Sequence, residues 1–170
     1  DLIIENPFEI NYFLIILIIL FLFNSFNKLY LGDSGSYLLG FIYSVKCIYF
    51  YDSNSNISPY FITLLLWYPA FEIFFSIIRK LNFNTSPLKP DTNHLHQLIY
   101  FFLKKKITNT VLASSSVGLL ISLYNLIIFS IALRDLSNTQ YQIILIFLNI
   151  FIYSFVYIRL LKIKSNKLFF

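Results

Sequence analysis

The sequence predicts an all-α integral membrane protein. It forms a single membrane domain over residues 1–170, with about five transmembrane helices and one long polar loop carrying a short interfacial helix. Three observations carry that prediction. The chain is 58% hydrophobic and 12% charged, with mean hydropathy +0.71, which is more apolar surface than a soluble domain of this size can hide. Its apolar residues come in runs near the length a helix needs to cross a bilayer, and they do not alternate. Its basic residues also sort by side between those runs.

Residues 1–9 are short and acidic, with no basic start of the kind a signal peptide has. The chain opens without Met and contains none, so it reads as a fragment or processed piece of a larger multi-span protein. The first span covers about residues 10–26 and ends in Asn24, Ser25, Asn27 and Lys28. The second, about 36–51, is short for a crossing and carries Lys46 near its far end, where a lysine can snorkel outward. Ser58-Pro59 reads as an N-cap and first helical residue. The third span runs from there to about residue 78, with a kink expected at Pro69, Glu72 in its inner half and Arg79-Lys80 closing it.

The longest polar stretch, residues 81–106, is broken by Pro87 and Pro90. From His94 the apolar residues Leu95, Leu98, Ile99 and Phe102 recur at helical spacing, and Lys104-Lys105-Lys106 follow. That pattern predicts a short helix on the membrane surface. The fourth span is about 110–133, with Ser114-Ser115-Ser116 and Gly118 offering a close-packing face. The fifth is about 141–161, followed by Lys162, Lys164 and Lys167.

Eleven of the thirteen basic residues fall on one side of this arrangement, leaving Lys46 and Arg134 for the other. By the positive-inside rule the first side is cytoplasmic, so the chain starts outside and its tail lies inside the plasma (inner) membrane. The net charge of +5 is thereby explained without a nucleic-acid partner. Cys47 is the only cysteine, which excludes an intramolecular disulfide.

That topology brings three polar groups to the cytoplasmic face. Leu31-Gly32-Asp33-Ser34-Gly35-Ser36 places a carboxylate and two hydroxyls among glycines, and three of the chain's four glycines lie between residues 32 and 40. Asp33, Ser34 and Ser36 can each cap a helix starting at Tyr37. The stretch reads either as a capped turn or as a helix start that holds phosphate and a hard cation such as magnesium. His94 and His96 are the only histidines. On a helix they would point about 200° apart, which with no cysteine nearby argues against zinc. Beside Arg79, Lys80 and Lys89 they suit phosphate oxygens or serve as solvated loop residues. Glu72, a carboxylate within a span, needs a partner. Arg79 lies about 10 Å along the axis, too far for an easy pair, so Glu72 reads equally as structural or functional.

These residues, with Trp67-Tyr68-Pro69, Ser86-Pro87, Pro90-Asp91 and His94-Leu95-His96-Gln97, resemble in order and spacing the polyprenyl-phosphate N-acetylhexosamine-1-phosphate transferases of glycosyltransferase family 4. The resemblance covers nearly the whole chain but only the second half of the family. Its earlier loops, one with paired aspartates and one rich in Asn and Asp, are absent here. The resemblance implies transfer of a sugar-1-phosphate from a UDP-amino sugar to a polyprenyl phosphate lipid, with release of UMP. Magnesium, or alternatively manganese, would be held by Asp33 as the catalytic metal ligand. It further implies that Arg79, His94 and His96 contact the nucleotide-sugar diphosphate, and that the N-terminal half of the same protein completes the site. Gln97 stands where the family often has a third His. The His-Leu-His form favours the UDP-N-acetylglucosamine branch over the muramoyl-pentapeptide branch of peptidoglycan synthesis. A non-catalytic membrane or transport protein is the remaining alternative. It is disfavoured because polar groups gather at one face while the span interiors read as Ile, Leu and Phe.

Overall fold

The computed structural model describes residues 7–82, 84–86, 88–89 and 92–165, with side chains from Tyr12 onward; Pro87, Pro90, Asp91 and Lys167 lie outside that set. Among the described residues all regular structure is helical: α1 (Pro7–Ser25), α2 (Gly32–Asp52), α3 (Pro59–Leu65), α4 (Trp67–Asn82), α5 (Leu95–Leu103), α6 (Thr110–Ala132) and α7 (Thr139–Ser165).

Local chemistry sets most of these boundaries. At the end of α1, Asn27 adopts φ 58°, a left-handed conformation that asparagine tolerates better than most residues. Its N–H bonds Asn24 O at 3.0 Å, and the Lys28 N–H bonds Phe23 O at 2.9 Å, which together close the helix with a Schellman motif. Ser58 caps α3 by accepting the Tyr60 N–H, with Pro59 in the first turn. Asn109 caps α6 by accepting from Val111 and Leu112.

The expected kink is present and sharp. α3 and α4 meet at Leu66 with a bend of 72°. Pro69 has no N–H to offer Leu65, and its ring would clash with that carbonyl in a continuous helix. Breaking the chain at Leu66 puts Pro69 in the first turn of α4, where a missing N–H costs nothing.

The Gly-Asp stretch behaves differently from expectation. α2 begins at Gly32, not at Tyr37, with Leu31 as its N-cap residue and no capping side chain. Asp33, Ser34 and Ser36 therefore lie inside the first turns and do not precede them. The Ser36 hydroxyl donates back to Gly32 O at 2.8 Å. Gly32 has φ +65°, which is where the glycine is needed. α2 contains Cys47, buried, and Lys46, whose ammonium sits 4.9 Å from the Phe13 ring centroid of α1.

α6 and α7 are each long and apolar enough to cross a membrane. α3 and α4 qualify together as one bent span, and α1 is apolar over the shorter stretch Tyr12–Ser25. Among the described residues, length and composition thus support two spans, or three with the bent pair.

The core lies among α3 to α7. Ile57, Phe61, Leu64, Trp67, Leu95, Leu98, Ile128, Ala132, Leu145, Tyr153 and Tyr157 form one buried cluster. α5 places Leu95 and Leu98 in that cluster. The amphipathic face predicted to meet the membrane surface instead docks into the bundle against α6 and α7. Gly118 also departs from expectation, because a Cβ built there would meet nothing within 4 Å. The close approach to α1 falls at Ser115, which donates to Ser25 O.

α7 is arranged inside-out. Its buried residues are Gln142, Leu145, Asn149, Tyr153 and Tyr157, spaced three or four apart, while Ile144, Phe147, Phe151 and Phe155 are exposed. Lipid tails are as apolar as Ile or Phe, so the polar stripe gains more by facing protein. Gln142 donates to Ala132 O and Asp135 O, closing the α6–α7 turn. Asn149 accepts from the Tyr124 hydroxyl, and Asn125 accepts the Trp67 Nε1–H at 2.9 Å. The bundle interior is therefore more polar than the Ile, Leu and Phe read from the sequence.

Candidate functional site

Glu72 organises the site. It sits one turn past Pro69 on α4, 8% exposed, and its carboxylate reaches two other helices. Oε1 accepts the Leu95 N–H at 2.9 Å and lies 3.0 Å from His94 Nδ1, while Oε2 accepts the Tyr153 hydroxyl at 2.9 Å. Leu95 N–H is the first of α5, one of the donors a helix start leaves without an internal partner. Glu72 therefore supplies from a neighbouring helix the negative end that a capping side chain and the helix dipole both favour. It pairs with this loop and not with Arg79, as the spacing along α4 requires.

The segment before α5 is held from the other side as well. Lys164, near the end of α7, donates to Thr92 O at 3.0 Å, Thr92 Oγ1 at 3.3 Å and Asn93 Oδ1 at 2.7 Å. The Gln97 side chain accepts the His94 N–H at 3.3 Å. Residues 92–94 are thus clasped by α7, α4 and the first turn of α5. Lys164 reads from the sequence only as a topology charge.

His94 is the N-cap residue of α5, with ψ 150°, not a member of the helix. The helical-wheel separation of the two histidines therefore does not apply. Their rings stack with centroids 5.6 Å apart and planes 18° apart, one ring presenting its face to the other. Among the described residues no group of three or more His, Cys, Asp or Glu could hold a metal. Partial desolvation pulls the His96 imidazole below the usual histidine value; Glu72 acts in the opposite direction, and His94 reinforces the drop. A His96 in this state donates one hydrogen bond at neutral pH and brings no positive charge.

Arg79 and Lys80 lie in the last turn of α4, where cations suit the carbonyl end of the dipole. Arg79 Nη2 donates to Ser76 Oγ at 3.3 Å and Lys80 Nζ to Lys89 O at 2.6 Å. Arg79, His94 and His96 are thus joined through α4 and its contact with α5. Asp33 is exposed in the first turn of α2. Among the described residues, no hydrogen bond or ion pair joins it to any of those three. A magnesium ion keeps several waters and takes one or two carboxylates together with phosphates. A single exposed aspartate at a helix start fits that pattern as one ligand, not as a complete cage.

Tyr153 escaped the sequence reading, and Lys164 entered it only as a topology charge. One is among thirteen tyrosines and the other among thirteen basic residues, and neither carries a local signal. Glu72 could be singled out because a carboxylate in an apolar run demands a partner, but its partners could not be named.

No protein-family model and no solved structure matches the chain. Two curated proteins do. A Thermotoga maritima protein named undecaprenyl-phosphate alpha-N-acetylglucosaminyl 1-phosphate transferase is 35% identical over 89 residues, 52% of this chain and 29% of its own length. A Bacillus subtilis protein named probable undecaprenyl-phosphate N-acetylglucosaminyl 1-phosphate transferase is 31% identical over 115 residues, 65% of this chain and 31% of its own. The chain is therefore similar in sequence to two proteins named as undecaprenyl-phosphate N-acetylglucosaminyl 1-phosphate transferases, and it matches under a third of the length of either.

Proposed function

We propose that this chain forms part of a membrane enzyme that transfers N-acetylglucosamine-1-phosphate from UDP-N-acetylglucosamine to a polyprenyl phosphate. In this reading the chain crosses the plasma membrane five times, and its site faces the cytoplasm. The observation that carries the reading is the 35% identity over 89 residues to a protein of that name. Both matched relatives are named for N-acetylglucosamine, which supports that sugar over the muramoyl-pentapeptide donor.

The residues suit the chemistry. Phosphoryl transfer depends on positioning and on neutralising charge that develops around the transferred group. Arg79 would supply positive charge to the diphosphate, and His94 and His96 would orient it through a loop that Glu72 and Lys164 hold still. Asp33 would hold magnesium, which when bound neutralises phosphate charge. Among the described residues no group of three or more His, Cys, Asp or Glu could hold a metal, so Asp33 would be one ligand of a site completed by other parts of the protein.

The test measures UMP release from UDP-N-acetylglucosamine in membranes supplied with polyprenyl phosphate and magnesium. Membranes expressing the full reading frame are expected to release UMP, and membranes expressing residues 1–170 alone are not. No release from the full reading frame overturns the function. Magnesium-dependent release from the 170 residues alone overturns the division of the site.

A further inference from the structure

We propose that Lys164 is a positioning residue, which holds the segment from Thr92 to His94 in place from the far end of α7. An ammonium has three N–H donors, and three acceptors of one dipeptide lie within reach of this one. They are Thr92 O at 3.0 Å, Thr92 Oγ1 at 3.3 Å and Asn93 Oδ1 at 2.7 Å. A lysine that serves only as a topology charge ends in water. This one ends on protein.

α7 supplies the reach. Its 27 residues make about 40 Å of helix, about 10 Å more than the hydrocarbon core of a bilayer. The surplus of about two turns carries Lys164 to the loop before α5. It also carries it on the inward face. The buried residues Gln142, Leu145, Asn149, Tyr153 and Tyr157 recur three or four apart. Leu160 and Leu161 continue the series against the core, and Lys164 comes next at the same spacing. Tyr153 on that stripe donates to Glu72, which in turn accepts the Leu95 N–H. One face of α7 therefore supports the histidine segment at two levels, about 16 Å apart along its axis.

Tethers at Asn93 and at Leu95 leave His94 between two fixed points. Losing the Lys164 contact frees one of them, and the segment then samples other positions. A ligand that needs the held form binds more weakly, in proportion to the fraction of the time the segment is held. That this ligand is a nucleotide-sugar diphosphate rests on the transferase reading; the clasp itself does not.

The test takes the full reading frame in detergent micelles with Lys164→Met, which keeps the apolar stem and removes the three donors. Amide hydrogen exchange, measured without sugar nucleotide, is expected to quicken at least about 10-fold in residues 92–96. Exchange in the centres of α6 and α7 should not change, and Lys164→Arg should restore most of the protection. Unchanged exchange at 92–96 overturns the proposal, as does an equal loss throughout α7 or a Lys164→Arg protein as loose as Lys164→Met. Asn93→Ala removes the same contact from the loop side and should loosen the same residues, so it decides the matter if Lys164→Met does not fold. In the UMP-release assay, Lys164→Met should raise KM for UDP-N-acetylglucosamine about 10-fold, with kcat within about threefold. Local loosening with KM unchanged overturns the positioning role. A protein that loosens as expected, yet releases no UMP even with Lys164 intact, overturns the function and leaves the clasp standing.

Discussion

Replacing Leu98 with alanine tests whether α5 is a packed element of the bundle or a helix resting on the membrane. Leu98 is 1% exposed and sits in the core cluster with Leu64, Trp67, Tyr153 and Tyr157. Large-to-small changes at such sites cost about 2–5 kcal/mol, more where the surroundings cannot collapse. Here two of the surrounding rings are pinned, Trp67 by Asn125 and Tyr153 by Glu72. A 120 Å³ apolar void lined by Leu95, Ile99, Trp67 and Tyr153 already adjoins the site. The expected loss is about 3 kcal/mol, or roughly 100-fold in the equilibrium between docked and released α5. Amide hydrogen exchange of residues 95–103 in micelles reads that equilibrium. The control is Phe101→Ala: Phe101 is 36% exposed beside Lys105, and its loss should stay within about 0.5 kcal/mol. On a membrane-lying helix the two changes would have comparable effects, because both side chains would then leave the bilayer. Equal sensitivity, or unchanged protection in Leu98→Ala, would refute the packing argument.

Three further outcomes are expected. In the full reading frame, Asp33→Asn should lower UMP release by at least about 100-fold, the scale for losing one charge-stabilising element; near-normal release with unchanged magnesium dependence would remove Asp33 from the metal. In a Cys47→Ser background, a cysteine at Asn84 should react only with reagents that enter the cytoplasm and one at Asn54 only from outside, and the reverse pattern would invert the proposed topology. His96 should titrate below the usual histidine value in an NMR pH series. Because its folded value is the lower one, its contribution to stability is complete above the unfolded value near 6.5 and is lost as pH falls toward the folded one. A normal or raised titration point would contradict the desolvation assigned to it.

Much of the local structure was legible in the residues. Ser58-Pro59 marks a helix start, Asn27 marks a helix end and Pro69 marks a break, because each acts on backbone hydrogen bonds within about four residues of itself. The start of α2 was misread by several residues. Its first turn uses no side-chain cap, so the polar residues Asp33, Ser34 and Ser36 looked like a boundary that the backbone did not need. The histidine spacing misled for a related reason: the helical angle assumed for His94 and His96 fails when the first of them is extended.

The sequence by itself determined that this is a helical, membrane-spanning chain and where most of its helices begin and end. Tertiary structure alone decided which faces turn inward and which side chains meet. In a chain this apolar, hydropathy does not distinguish a side that faces lipid from one that faces protein. Nothing near Gln142, Asn149 or Tyr153 in sequence announces that their stripe is the buried one. The contacts that build the site join residues far apart, Glu72 to His94 across 22 positions and Glu72 to Tyr153 across 81. A buried carboxylate must find donors, and the sequence states that demand. Which donors meet it depends on how α4, α5 and α7 pack, and no local pattern records that packing.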